Sequence, residues 1–314
     1  MMVRGKDMQN KNKNQNPLVS VIMPVYNAGN FLMKAIESIL NQTYQNFEFI
    51  IVDDASTDNS WEIIQKYTKK YPQKIKAFQL KKTLNRGGDA CANFALKKAK
   101  GKYIARMDAD DIAHPKRLEK QVEFLEKNKN VFLVGSNAWV IDKKGKKIGE
   151  KKVPTSYQEI YKQYFTFHPI IHPSVMFRKY IKGKKFFYPK KFSANNDYYV
   201  FFNLLIGGFI FKNLEEKLLY YRIHGKNDTF SNMREKFFNT LKIRFLMVKK
   251  GYEPDLKQWL IFFIQCLISL LLPEKILKPI YFLTRGFIKI KFVKNVFLKS
   301  FYFNKKTSLA FSTK

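Results

Sequence analysis

The sequence predicts an α/β protein built on a doubly wound, mostly parallel sheet. Three observations predict it. Apolar, β-branched runs of five or six residues recur along residues 1–126, each is followed by a stretch with helical apolar spacing, and each ends in a polar cluster. Alternation of strand and helix places helices on both faces of a sheet of parallel strands.

The elements follow in order. Residues 19–23 (VSVIM) form a buried strand bounded by Pro24, and 31–41 form a helix with Asn30 as its N-cap. Residues 47–52 are the second strand, followed by a helix that begins at Asp58 and stops before Pro72. Residues 75–80 are the third strand, followed by a helix over 89–100 closed by Gly101. Residues 103–107 are the fourth strand, and Pro115 opens a helix through Leu118, Val122 and Leu125. Beyond this the pattern loosens. Strands at 131–135, 175–178 and 218–222 mix with helices at 157–165, 197–206 and 235–250. The chain divides into a disordered lead (1–17), a globular body (18–252, in halves 18–126 and 127–252) and a basic, aromatic tail (253–314).

Composition constrains the partners. The chain carries 58 basic and 25 acidic residues, a formal charge of +33, and 46% hydrophobic residues, which is ample for a core. So large a charge calls for a polyanionic neighbour. It is mainly Lys, a point charge, and not Arg, whose planar fork suits base reading and phosphate clamping. Residues 1–126 hold 21 basic against 14 acidic side chains, residues 127–272 hold 27 against 10, and residues 273–314 hold 10 against 1. The surplus therefore belongs to the second half. No readout motif for nucleic acid accompanies it, so nucleic acid is not an expected partner. The polar start of the chain predicts no secretory signal. Cys91 and Cys266 sit in apolar helical patterns, as two buried thiols of a reducing compartment would.

Four polar clusters fall at the carboxyl ends of the four strands, where open α/β sheets bind ligands. They are Pro24, Tyr26 and Asn27; Asp53, Asp54, Ser56 and Asp58; Asn85, Gly87 and Gly88; and Asp108, Asp110 and Asp111. Three carboxylates in four residues repel one another unless a cation offsets them, and Mg²⁺ or Mn²⁺ takes oxygen ligands of this kind. The plainer reading is an acidic turn capping the next helix. Asp53 and Asp54 fit a second cation site, a helix cap or acceptors for a base or ribose. Tyr26 fits stacking on a nucleobase or ordinary packing. The glycine pair fits close ligand approach or a simple turn. Asp197 fits a general base or a first-turn acid favoured by the helix dipole. His224 fits a metal ligand, a phosphate contact or a structural histidine. His168 and His172, each followed by Pro, read as loop residues.

Together these motifs resemble the inverting family-2 glycosyltransferases of GT-A fold. The stretches 19–27 (VSVIMPVYN), 52–58 (VDDASTD), 103–118 (YIARMDADDIAHPKRL), 172–178 (HPSVMFR), Asn196-Asp197 and 221–227 (YRIHGKN) stand in the family's order across about residues 18–230. The resemblance implies a nucleotide-sugar donor, UDP-linked by preference, held by Pro24, Tyr26, Asp53, Asp54, Asn85, Gly87, Arg106, Asp108 and Arg222. It implies a divalent metal, Mn²⁺ or Mg²⁺, at Asp108, Asp110 and His224, and Asp197 as the catalytic base. Asn196 stands where the family often has Glu. The alternatives from other classes are a metal-dependent nucleotidyltransferase and a polybasic nucleic-acid-binding protein.

Residues 259–272 (WLIFFIQCLISLLL) are too few to span a bilayer and end at Pro273. With the Lys residues that follow, they read as an anchor on an anionic membrane surface. The expected setting is peripheral, on the inner, cytoplasmic face of a bacterial membrane. The expected acceptor is a lipid-linked or cell-surface glycan such as lipopolysaccharide or capsule. The competing reading for this segment is a helical hairpin packed on the catalytic body.

Overall fold

Two faces of one sheet divide the apolar residues of the first strand between two cores. Val19, Val21, Met23 and Val25 pack on one side, and Ile22 packs on the other. The computed structural model describes residues 16–84, 88–225, 227, 232–273, 277 and 287–288. In chain order its elements are β1 (Val19–Val25), α1 (Gly29–Leu40), β2 (Phe47–Asp53), α2 (Ser60–Lys70), β3 (Ile75–Gln79), α3 (Asp89–Lys98), β4 (Tyr103–Arg106), β5 (Ile112–Ala113) and α4 (Arg117–Lys127). There follow β6 (Val131–Ile141), β7 (Lys147–Lys151), α5 (Tyr157–Gln163), β8 (Met176–Arg178), β9 (Tyr180–Ile181), β10 (Lys184–Lys185) and α6 (Asn196–Ile206). The last described elements are β11 (Ile210–Arg222), α7 (Met233–Lys249), α8 (Leu256–Leu271) and β12 (Phe287–Ile288).

The main sheet runs β12-β7-β6-β8-β4-β1-β2-β3, with β11 beside β6 and the short β5 beside β11. Strands β3, β2, β1 and β4 are parallel neighbours, and β8 joins β4 antiparallel. Helices α1, α2 and α4 cover one face, while α3, α5, α6 and α7 cover the other. The chain leaves β1 for β2 and β3 in one direction and returns through α3 to β4 on the far side of β1. That reversal opens a crevice beyond the ends of β1 and β4, the position where sheets of this type bind ligands.

Several boundaries differ from the sequence expectation for physical reasons. Asn30 is not the cap of α1; Ala28 is, and the open N–H groups of Ala28 and Gly29 donate to Ser60 Oγ (3.0 Å) and Asp58 Oδ2 (3.0 Å) across the crevice. Helix α2 starts at Ser60 because Asp58 Oδ1 accepts the Ser60 N–H. Gly101 does not close α3, which ends at Lys98; it lies where a Cβ would come within 2.5 Å of the Ser20 nitrogen. Strands β6 and β11 are much longer than expected and pair with each other through register shifts near Leu214 and Lys217. Such irregularities break the period-two pattern from which strands are read.

The segment beyond residue 252 begins as part of the body. Helix α8 opens with a capping box in which Asp255 and Gln258 exchange side-chain and backbone hydrogen bonds of 2.8 Å. Gln258 donates to the Lys162 carbonyl, and Trp259 and Phe262 pack against Phe165. Cys91 is buried, whereas Cys266 is only partly covered, which corrects the expectation of two buried thiols. Among the described residues, no helix is long and apolar enough to cross a membrane. The polar lead up to residue 15, Asn85, Gly87, and most of residues 274–314 with their lysines lie outside the described residues.

Candidate active site

A cavity of about 1370 Å³ opens at the crevice. The ends of β1 and β4 line it, together with the first turn of α6, the segment after β11, and faces of α7 and α8. Pro24, Tyr26, Asp54, Arg106, Asp108, Asp110, Asp197 and His224 all face it. The structure brings neither Asp53 nor Arg222 to its wall. Asp53 is fully buried, its Oδ2 accepting from Ser56 N and Gln79 Nε2, and the buried Arg222 guanidinium is engaged by the carbonyls of Asp110 and Asp142. The first keeps the strand end in shape; the second ties the acidic turn to β11.

Loops after β1 and β2 brace one another. Asn27, at a left-handed φ of 49°, accepts the Thr57 N–H on Oδ1 and donates its own N–H to Ser56 Oγ. Tyr26 is thereby held outward, with 56% of its surface exposed over the cavity. Beside it Asp54 accepts from Leu84 N (2.8 Å) and Thr83 Oγ1 (3.0 Å). Gly88 has a φ of 77°, and a Cβ there would stand 3.2 Å from the Arg106 guanidinium and 3.6 Å from Pro24, so a side chain would be strained and would crowd the pocket floor.

The acidic turn is organised by cations that its own sequence spacing does not reveal. Arg106 Nε donates to Asp108 Oδ1 at 3.0 Å, while its buried Nη1 has no partner among the described residues. Burial, the largest single influence, pulls the Arg106 pKa down, but the charges of Asp108, Tyr188 and Asp89 and the hydrogen bond to Asp108 together outweigh it and hold the guanidinium above its ordinary value. Burial raises the Asp108 carboxyl, Arg106 pulls it back, and the charges of Asp110 and Asp197 add to the rise. Asp110 Oδ2 accepts from His224 Nε2 (2.9 Å) and from Asn227 Nδ2 (3.2 Å). Asp111 turns inward, where its Oδ1 accepts the Arg222 N–H at 2.8 Å; burial, then Asp110 and Asp108, push it well above the usual carboxylate range. Beneath the turn the buried Arg117 donates to the Arg106 carbonyl at 2.6 Å. Among the described residues, no three His, Cys, Asp or Glu side chains stand grouped closely enough to hold a metal by themselves.

Asp197 lies on the first turn of α6 with two histidines beside it. His168 Nε2 stands 3.2 Å from its Oδ2, and His172 Nδ1 stands 3.6 Å from the same oxygen. Both histidines lie in the irregular segment between α5 and β8, as the sequence reading has them, and both reach the carboxylate, a contact that reading did not include. Tyr188 Oη holds the far nitrogen of His172 at 2.8 Å. Burial alone would raise the Asp197 pKa, but the hydrogen bond and charge of His168, then the charge of His172, drive it below the usual range. Burial itself pushes His172 down to about 3, so it is neutral at physiological pH and the depression of Asp197 there rests on His168. Asn196 exchanges two hydrogen bonds with the backbone of Phe192 (3.0 and 2.8 Å), pinning the turn from which Asp197 projects. Sequence reasoning missed His168, His172, Asn227 and Arg117 as site residues. The stretches 172–178 and 221–227 carried a signal for two of them.

Sheet order, crevice and acidic wall define a GT-A type α/β transferase fold. Comparison with known proteins makes this specific. Residues 20–183 match the model of glycosyl transferase family 2. An uncharacterized glycosyltransferase of Methanocaldococcus jannaschii, MJ1057, is 38% identical over 272 residues, covering 83% of this chain and 92% of the relative. The chain belongs to glycosyl transferase family 2. Crystal structures share its fold: S. aureus TarS in complex with UDP-GlcNAc, at a TM-score of 0.61 and 19% identity (80% of this chain, 72% of that one), and the mannosyltransferase PcManGT from Pyrobaculum calidifontis in complex with GDP-Man and Mn²⁺, at 0.54 and 16% (82% and 71%).

Proposed function

We propose that the protein is an inverting glycosyltransferase that moves a sugar from a nucleotide sugar, UDP-linked by preference, to a hydroxyl of a lipid-linked or cell-surface glycan. The observation that carries this reading is that Asp197 opens onto the same cavity as Tyr26, Asp54, Arg106, Asp108 and Asp110, close enough for its charge to act on Asp108. Tyr26 stacks on the base, and Asp54 accepts from base or ribose. The unpartnered Nη1 of Arg106 donates to the diphosphate.

Asp108 and Asp110 would hold a divalent ion, with the imidazole of His224 beside them. Hard carboxylate oxygens suit Mn²⁺ or Mg²⁺, and the remaining positions suit phosphate oxygens. When bound, the ion offsets negative charge on the departing diphosphate. Asp197 takes the proton from the acceptor hydroxyl as that oxygen attacks the anomeric carbon. His168 and His172 orient the carboxylate, and the hydrogen bond of His168 keeps it ionised. With attack and departure on opposite faces of the sugar, one displacement inverts the anomeric configuration.

The surplus of lysine and the exposed apolar face of α8 support a peripheral site on the inner face of a bacterial membrane. Nucleotide sugars screened with and without Mn²⁺ test the reading: one donor should raise the melting temperature by mass action and, with acceptor, release a nucleoside diphosphate. Release of pyrophosphate would identify nucleotidyl transfer and overturn it. Selective binding to duplex DNA over anionic liposomes would overturn the membrane assignment.

A further inference from the structure

The cavity has a second character on the side formed by α7 and α8. There its wall is Met233 and Phe237 of α7, Ile261, Ile264 and Ile268 of α8, and Leu277. Two of the polar groups at this side are bonded to one another, since Arg244 donates to Gln265 Oε1 and to the Thr166 carbonyl and Gln265 donates to the same carbonyl, while Glu235, Lys236, Thr240 and Ser269 also line it. Along the isoleucines of α8 a hydrocarbon would displace water from apolar surface.

The same side touches the base. Asn195, two residues before Asp197, donates to Thr240 Oγ1 (2.9 Å) and to the Lys236 carbonyl (2.6 Å) of α7. The wall is also continuous with the molecular surface. Ile264 both lines the cavity and is 45% exposed, and next to it Leu260, Phe263, Leu267 and Leu270 are each more than half exposed. An apolar ridge therefore runs from solvent into the cavity that Asp197 also lines. Between residues 232 and 272, apart from the buried Arg244, six basic side chains stand against three acidic ones, a balance suited to an anionic lipid surface.

We infer that this side of the cavity is a subsite for the hydrocarbon tail of the acceptor, entered from the lipid surface along α8, so that the acceptor's hydroxyl reaches Asp197 while its tail stays in apolar surroundings. The inference rests on the transfer reading above and names the class of acceptor: a glycan on a linear alkyl or prenyl chain.

The test uses the full chain and three probes below their micellar concentrations: dodecyl maltoside, octyl maltoside and maltose. Binding is followed by calorimetry and by the fluorescence of Trp259, which packs on Phe262 of α8. Dodecyl maltoside should bind saturably, octyl maltoside at least tenfold more weakly, and maltose not at all, because each buried methylene is worth up to about fourfold. Ile268→Glu should weaken dodecyl maltoside at least tenfold; if that variant does not fold, Ile264→Glu, at a half-exposed position, serves in its place. Leu271→Glu, on the exposed end of the ridge and outside the cavity wall, should change binding less than twofold. Absence of saturable binding, no dependence on chain length, or equal loss in Leu271→Glu and Ile264→Glu would overturn the subsite, the last because it marks adsorption to the outer ridge. Stabilisation by a nucleotide sugar is read separately. Tail binding without any donor effect sinks the transfer reading alone; a donor effect without tail binding sinks the subsite alone.

Discussion

Asp54 and Asp197 face one cavity but are held in different ways. Asp54 receives uncharged donors, an N–H and a hydroxyl, from a single short loop after β3. Asp197 is flanked by two imidazoles from a segment 25 to 29 residues upstream, one of them backed by a tyrosine. The contrast extends to the halves that contain them. In residues 18–126 each polar cluster follows its own strand, so neighbours in sequence are neighbours in the site. In residues 127–252, residues 168, 172, 188 and 197 meet only when distant segments fold together. A carboxylate set by neutral loop donors is fixed by its own loop, and one set by imidazoles is held ionised by groups from a distant segment.

The largest expected effect separates these roles. Asp197→Asn should lower turnover about 10²- to 10⁴-fold, the range that general base catalysis supplies, with donor stabilisation intact. Unchanged turnover would remove the base and break the contrast. Next, Asp110→Ala should abolish the Mn²⁺-dependent part of donor binding, measured by calorimetry with and without the ion, and should leave metal-free binding of the nucleoside diphosphate in place.

A smaller effect concerns the imidazoles. His172→Gln should reduce turnover about tenfold with little change in the donor KM, since the carboxylate remains but its setting loosens. It should also alter stability against pH. In the folded chain His172 titrates near 3, below its ordinary value of about 6.5, so the unfolded chain takes up the proton first. Stability is then complete above about pH 6.5 and falls toward pH 3, by about 1.4 kcal/mol per unit from this one group. Asp197, also lowered, adds to the loss below the usual carboxylate range. Denaturant melts across this window should show a shallower slope in His172→Gln; an identical slope would mean that the ring is not held neutral by the fold. The smallest effect belongs to Tyr26→Ala, which should weaken donor binding up to about tenfold while changing stability by under about 0.5 kcal/mol, because the ring is exposed. Equal donor binding would mean that Tyr26 does not stack on the base.

Legibility followed the same divide. The four parallel strands and their helices were readable because β1, β2 and β4 are buried on both faces and each cluster follows its strand. Asp54, Arg106, Asp108 and Asp110 were placed on the cavity from that pattern and the family likeness. Arg222 and Asp53 were readable as polar residues at strand ends, but which way each side chain turns depends on carbonyls and loops far along the chain. Strand β11 was half hidden because its register shifts interrupt the alternation.

The sequence by itself determined the doubly wound sheet, the family and the acidic edge, since these depend on local periodicity and on motifs a few residues long. Only the tertiary structure decided that His168 and His172 serve Asp197, that Arg222 braces the acidic turn, and that an apolar helix presents one face to the cavity and another to solvent. The physical reason is distance along the chain. Hydrophobic spacing encodes which face of an element is buried, whereas the pairing of a carboxylate with an imidazole 29 residues away depends on how every intervening element packs.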